Sequence, residues 1–454
     1  MKKNESVLLS ITGITSEGNG VGRAEGQAVF VPYTAIGDEI RAKIVKVQKG
    51  YCYGIVEEVL TPSPDRREND CPAFFRCGGC ALRHITYESE LAVKEGIVYE
   101  NLRRIGGVET PRLPILPSPL ENRYRNKGIY PVVRDEAGAI HVGFYAKRSH
   151  RVIDQGDCLL QPACYGKFVR ILKEFLQDYG ISVYDEVSHT GQVRGLFLRM
   201  GYRTGEVMVC VISTQDKLPH REELVKRLLA VEPGICTVVL NVNPERTNVA
   251  LGKRNVVLYG EGVITDILCG RRFEISPLSF YQVNSPATEQ LYQLAAEYAG
   301  LQEGDTLLDL YCGIGTIGIT MAGEDTRLIG VEVVPQAVEN ARRNASLNGL
   351  KRAEFYCDTA EGIVGRLEQQ GLRPDVVVLD PPRKGCEALA IESVCRMGPK
   401  RVVYISCNSA TLARDCRVFA EKGYGVRKAR PVDLFPRTGH VECVALLTRD
   451  SVEK

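Results

Sequence analysis

From Thr306 to Ser406 the chain alternates short apolar, β-branched runs with helical stretches of about 10–15 residues, a rhythm that predicts a doubly wound parallel sheet. The runs are Thr306–Tyr311, Arg327–Glu332, Ala353–Asp358, Asp375–Leu379 and Arg401–Ile405. Open sheets of this kind bind ligands outside the carboxyl ends of their strands. The first run leads into Cys312-Gly313-Ile314-Gly315, the second ends in Glu332, and the third in Asp358. The fourth ends in Asp380-Pro381-Pro382-Arg383 and the fifth in Ser406-Cys407-Asn408. Later comes Thr438-Gly439-His440-Val441-Glu442. A thiol, a carboxylate after a Pro-Pro turn and a second carboxylate near a histidine make a candidate covalent active site. An arbitrary cysteine packs as a small hydrophobe; these neighbours make Cys407 a candidate nucleophile.

Glycines in the first turn let the backbone pass close to a ligand. Glu332 is placed to accept both hydroxyls of a ribose, and Asp358 to meet an adenine amino group. This series of acid-ended strands resembles the S-adenosylmethionine (SAM) methyltransferase fold, with a nicotinamide dinucleotide as the alternative ligand. Asp380-Pro381-Pro382-Arg383 is similar to the Asp/Asn-Pro-Pro-aromatic turn of enzymes that methylate base amino groups. Arginine in place of the aromatic argues against that reaction. A cysteine offers another one. C5 of a pyrimidine is a poor nucleophile, but a thiolate adding to C6 turns the ring into an enolate equivalent. C5 then attacks a methyl donor, a base removes the C5 proton, and the thiol is eliminated.

The chain has 454 residues, enough for several domains, and its net charge of +2 shows no overall bias toward nucleic acid. Any such site must be a local patch. No apolar run is long enough to span a membrane, and the start lacks a secretory h-region, so a cytoplasmic protein is expected. Its 16 cysteines are then not disulfides. Cys71, Cys77 and Cys80 stand in a turn-rich stretch, with Cys158 as a fourth candidate ligand and Cys164 as its competitor. Four thiolates suit a [4Fe–4S] cluster or a structural zinc, and spacing does not separate the two. The pattern is not the Cys-x3-Cys-x2-Cys of radical SAM enzymes. Cys210 and Cys236 read as core packing.

Residues 6 to about 60 read as short strands with glycine turns, a small β-barrel closed by the linker Thr61-Pro62-Ser63-Pro64. This segment resembles a TRAM domain, an RNA-binding barrel of the OB type. Residues 121–151 interleave seven Lys/Arg, among them Arg123, Arg125 and Lys127, with Tyr124, Tyr130, Phe144 and Tyr145. That mixture suits phosphate contact and base stacking; a solvated charged surface is the alternative.

Ser279–Asn284, Asp380–Arg383, Ser406–Asn408 with Thr411–Asp415, and Phe435–Glu442 together resemble the RNA uracil-5-methyltransferase family, in its TRAM-bearing, iron–sulfur-containing branch. The resemblance implies an N-terminal TRAM-like barrel (1–62), an α+β central domain bearing a [4Fe–4S] cluster and an RNA-binding surface (63–268), and a Rossmann-like SAM-dependent catalytic domain (269–454). It implies Cys407 as nucleophile and Glu442 as proton acceptor. It also implies Gln282, Tyr311, Glu332 and Asp380 as SAM contacts, and Cys71, Cys77, Cys80 and Cys158 as cluster ligands. His440 then shapes the loop that carries Glu442. The expected substrate is 23S ribosomal RNA, with a transfer-RNA uridine as the close alternative. A non-catalytic RNA chaperone is the reading from another class. A monomer with no membrane partner is expected.

Overall fold

The computed structural model describes residues 1–449. Three large sheets and one hairpin follow along the chain. The first sheet holds six strands between Ser6 and Thr61. In its strand Glu39–Val47, Ile40, Ala42 and Ile44 turn inward while Glu39 and Arg41 face out, and the inward set packs on Leu9, Val29 and Val31. This period-2 pattern closes the small core that the glycine-punctuated text predicts.

The central sheet has seven strands, with Lys127–Arg134 between Val193–Met200 and Ile140–Tyr145. Helices Tyr165–Asp178 and Arg221–Val231 cover one face. On the other face Phe197, Met208 and Cys210 pack against Tyr281 and Leu291 of the C-terminal region. Cys236 departs from expectation: it is exposed. Val207 pairs with Ile235 and Met208 with Thr237, so Cys236 is the extra residue of a bulge and turns out of the ladder.

The C-terminal sheet runs in the order Ala353–Cys357, Arg327–Glu332, Thr306–Leu310, Val376–Leu379, Arg401–Ser406, Glu442–Arg449, Tyr424–Val432. The first five are parallel, as their spacing predicts. Val376, Val378, Val403 and Ile405 point to one covering layer, and Val377, Leu379, Val402 and Tyr404 to the other. Glu442–Arg449 runs against its neighbours on both sides, so the sheet is not wholly parallel. Only residues 433–441 connect it to Tyr424–Val432, too short a link for a parallel crossover.

Helix Tyr87–Gly106 leaves the N-terminal half and docks on this domain. The Thr86 hydroxyl caps its first turn, and Gly107, at φ 63°, ends it. A Cβ at Gly106 would lie 2.8 Å from the Ala413 carbonyl oxygen, so the approach to helix Ser409–Glu421 requires glycine there. Among the described residues no helix is long and apolar enough to cross a membrane.

Candidate active site and cysteine cavity

Strand register assembles the predicted residues at one sheet edge. Leu310 pairs with Val331 on one side and Leu379 on the other, so Tyr311, Glu332 and Asp380 follow at three adjacent strand ends. Ser406 pairs with Cys443 across the antiparallel ladder. One step further along that ladder sets Cys407 beside Glu442. The reversed strand thus delivers its first residue to the edge where the parallel strands end.

Local contacts hold each group. The Asn408 side chain accepts from the N–H groups of Ala410 (3.1 Å) and Thr411 (3.4 Å), which starts a helix directly after Cys407. The Arg383 carbonyl accepts from Asn408 Nδ2 (3.2 Å) and from the Thr411 hydroxyl (3.3 Å), tying the Pro-Pro turn to the cysteine turn. Asp415 accepts from the Cys386 N–H (2.8 Å) and the Tyr404 hydroxyl (2.6 Å), bracing the same loop from below. Glu332 accepts from the N–H groups of Gly313 (3.1 Å) and Val334 (2.9 Å). Tyr311 sits at φ 69°, a left-handed conformation rare outside glycine and a mark of functional turns. Gln282 is buried, and its carbonyl accepts from Asn126 Nδ2 (2.9 Å) of the central domain.

The edge is rich in acids and poor in cations. Asp309 is fully buried; Oδ2 accepts from the Gly318 N–H (2.9 Å), while Oδ1 has no partner. Burial, then the neighbouring Asp380 and Glu332, push its carboxyl up to about 8. Burial alone pushes Asp380 up to about 7. Burial and Asp380 push Glu442 up to about 8 against the pull of Arg383. The Cys407 thiol is pushed up to about 11 by burial, Glu442 and Asp380, again opposed by Arg383. Acids held high by burial and by one another gain from a nearby positive charge, which fits a cationic ligand such as the SAM sulfonium.

These shifts carry a stability cost with a definite sign. A carboxyl raised in the folded state stabilises the fold below its ordinary value of about 4.3, and that stability is lost as pH rises through the folded value. For Glu442 the loss runs up to about pH 8. The melting temperature of Glu442→Gln relative to the parent is therefore expected to be near zero difference at pH 4.5 and clearly positive at pH 9, read by calorimetry on the ligand-free protein.

The loop 433–441 rests on a buried ionic group assembled from distant parts of the chain. Lys94 Nζ donates to Glu90 Oε1 (2.7 Å), Asp433 Oδ1 (2.7 Å) and the Phe435 carbonyl (3.1 Å), with all three side chains buried. The Tyr87 hydroxyl donates to Asp433 Oδ2 (2.8 Å). Arg437, at φ 70°, donates its N–H to Glu90 Oε1 (2.7 Å) and pairs through its guanidinium with Glu90 and Glu121. The Arg437 carbonyl accepts from the N–H groups of Ala81 (2.9 Å) and Leu82 (3.1 Å), just after Cys80. At Gly439 a Cβ would meet the Ser16 carbonyl of the barrel at 2.2 Å. Helix, cysteine segment and barrel thus converge on the loop that ends in Glu442. The one local signal was the i,i+4 pair Glu90/Lys94. Lys94→Met leaves Asp433 buried without its cation and Glu90 with Arg437 alone, and about 3–5 kcal/mol of stability is expected to go, measured by urea denaturation.

Cys71, Cys77, Cys80 and Cys158 line one cavity of about 450 Å³, whose far walls are Arg383, Phe435 and His440. Burial pushes the Cys80 thiol up to about 12, opposed by Arg83 and helped by Cys158, Cys77 and Cys71; Cys158 is raised by burial and by Cys77 and Cys71. The structure brings the four together, and Cys164 lies elsewhere, against the helix-covered face of the central sheet. Among the described residues, no three His, Cys, Asp or Glu side chains form a converged ligand set. Protonated thiols gain nothing by converging, and burial favours that form for Cys77, Cys80 and Cys158. His440 is held below the usual histidine range by burial, Arg383, Lys94 and Arg125, and so is neutral.

The basic and aromatic stretch 121–151 is partly internal, contrary to its surface reading. Tyr124 and Tyr130 are core residues, 1% and 2% exposed. Arg123 is spent on Asp157 and two carbonyls, and Arg148 on Glu17. Arg125, Lys127 and Tyr145 remain at cavity walls.

The fold and this acid-lined edge define a SAM-dependent methyltransferase. The tRNA (uracil-5-)-methyltransferase family pattern matches residues 266–450, and the TRAM domain pattern matches residues 2–56. An RNA methyltransferase of Halalkalibacterium halodurans is 43% identical, with 98% of each chain covered. One from Clostridium tetani is 40% identical over 99% of this chain and 97% of its own. The crystal structure of Pyrococcus abyssi tRNA (uracil-54, C5)-methyltransferase with S-adenosyl-L-homocysteine superposes with a TM-score of 0.79, at 28% identity, covering 97% of this chain and 99% of that one. The chain belongs to the RNA uracil-5-methyltransferase family.

Proposed function

We propose that this enzyme methylates C5 of a uridine in RNA through a covalent adduct between Cys407 and C6. The observation that carries this reading is the ladder register that sets Cys407 beside Glu442, with Asp380 at the neighbouring strand end. SAM supplies an electrophilic methyl group on a sulfonium; Gln282, Tyr311, Glu332 and Asp380 are the residues assigned to hold it. Cys407 Sγ gives up its proton to solvent and bonds to C6, the electron pair this places on C5 takes the methyl group, and Glu442 then removes the C5 proton as the C6–S bond breaks and Cys407 leaves as the thiolate. A Glu442 carboxyl raised to about 8 is a strong enough base for that carbon-bound proton once ionised. The target base must leave its stack to reach Cys407.

The substrate assigned is a uridine of 23S ribosomal RNA, which the four-cysteine branch of the family implies. A transfer-RNA uridine is the second reading, favoured by the likeness to the Pyrococcus abyssi tRNA enzyme. Mapping 5-methyluridine in both RNAs of a deletion strain decides between them; full retention of the modification in both would sink the assignment. Cys71, Cys77, Cys80 and Cys158 are assigned to a [4Fe–4S] cluster, because all four line one cavity. Anaerobically purified protein is expected to carry about four iron and four sulfide per chain, and Cys80→Ser to lose both; zinc without iron would replace the assignment.

A further inference from the structure

We propose that the end of the second face of the central sheet left uncovered beside Lys127–Arg134 holds a second nucleobase pocket, which takes a base flanking the target in the same RNA strand. This rests on the reading of an RNA strand entering at the Cys407 edge. Strand Lys127–Arg134 alternates: Gly128, Tyr130 and Val132 lie under the helices, while Ile129, Pro131 and Val133 face the other way. That second face floors a cavity of about 310 Å³, within the size range of small-ligand sites. Lys127 and Ile129 also wall the cysteine cavity, which reaches Arg383 and His440. Ile129 is common to both hollows, so they adjoin along one strand. Lys127 and Val133 stand about 20 Å apart along an extended strand, a span of a few nucleotides.

The walls carry the chemistry that holds a base. The Arg194 guanidinium donates to the carbonyls of Asn243 (2.9 Å), Glu245 (2.6 Å) and Thr247 (3.0 Å), and lies 4.4 Å over the Tyr184 ring. It is a fixed plane, and RNA bases stack on such planes. Tyr145, 38% exposed, stands beside His150 with ring centroids 5.4 Å apart. Both point polar atoms at Glu186: the Tyr145 hydroxyl at 3.2 Å and His150 Nδ1 at 2.7 Å. That carboxylate offers further lone pairs to a base N–H. On the rim Val187 is 90% exposed and Val249 63%, apolar surface that a stacked nucleotide would cover. Stacking planes, an acceptor and an apolar rim suit a nucleobase rather than a phosphate.

The test uses the full-length enzyme with oligouridylates of about nine and about three nucleotides, each bearing one photoreactive thiouridine. The longer strand is expected to label peptides containing Tyr145 and Tyr184; the shorter one is not. Tyr145→Ala, an exposed position, and Arg194→Met are expected to weaken the longer strand about tenfold, the loss that follows from removing one base-stacking partner. Binding of the short strand and of SAM should stay unchanged. Should Arg194→Met fail to fold, Tyr145→Ala carries the test. Unchanged affinity for the longer strand, or labelling by free thiouridine monophosphate as strong as by the longer strand, would overturn the proposal. Intact pocket labelling in a protein whose methyl transfer does not need Cys407 would sink the catalytic reading and leave the pocket standing.

Discussion

Cys407→Ala is expected to lower methyl transfer to RNA at least about a thousandfold while changing SAM affinity by less than about twofold. The Cys407 thiol is the group assigned to bond to C6, and without that bond C5 has no carbanion character. The residues assigned to the cofactor, Tyr311, Glu332 and Asp380, stand separately, at the ends of three other strands. Removing one sulfur from the neighbouring turn leaves the Asn408 cap and its tie to Arg383 in place. Single-turnover transfer of labelled methyl and calorimetric SAM titration give the two numbers. Retained turnover removes the covalent route.

Glu442→Gln is expected to accumulate a protein–RNA adduct that survives denaturing electrophoresis. Addition and methyl transfer precede the proton removal, so the variant stops at methylated, Cys407-bound RNA. The parent enzyme has its own signature. Burial and the neighbouring Asp380 push the Glu442 carboxyl up to about 8. Its basic form grows with pH, so the proton-removal step is expected to accelerate from pH 6 to pH 9 and then level. A single-turnover rate flat across that range, with no adduct in Glu442→Gln, would take Glu442 out of the role. On the proposed mechanism the buried acid is a stability cost retained at the position of the base, the opposite of what packing alone would select.

The strand ends were legible because they are locally encoded. Thr306–Leu310, Val376–Leu379 and Arg401–Ser406 are apolar on both faces and bounded by turn residues, so their ends and the residues beyond them can be placed without tertiary information. The cysteine quartet was legible as a set of candidate ligands, and the structure does bring the four to one cavity. The stretch 121–151 was less so. Composition does not tell which of its aromatics alternates inward, and Tyr124 and Tyr130 went to the core while Tyr145 stayed at the surface. Cys236 failed for a related reason: a bulge shifts the period by one and reverses the face of the residue it adds.

The sequence by itself determined the strand–helix rhythm, the acids Glu332, Asp358 and Asp380 at three of the strand ends and the thiol after the last parallel strand, because all of these follow from neighbours within a few residues. Tertiary structure alone decided that Glu442 stands beside Cys407. That depends on the Glu442–Arg449 strand running backwards between two others, and on its register through Ser406 and Cys443. It also decided that Lys94 meets Asp433, 339 residues away, under the loop that leads to Glu442. No local propensity encodes such pairings; they exist because a short connection forces antiparallel return, and because buried charges must find opposite partners wherever the fold brings them.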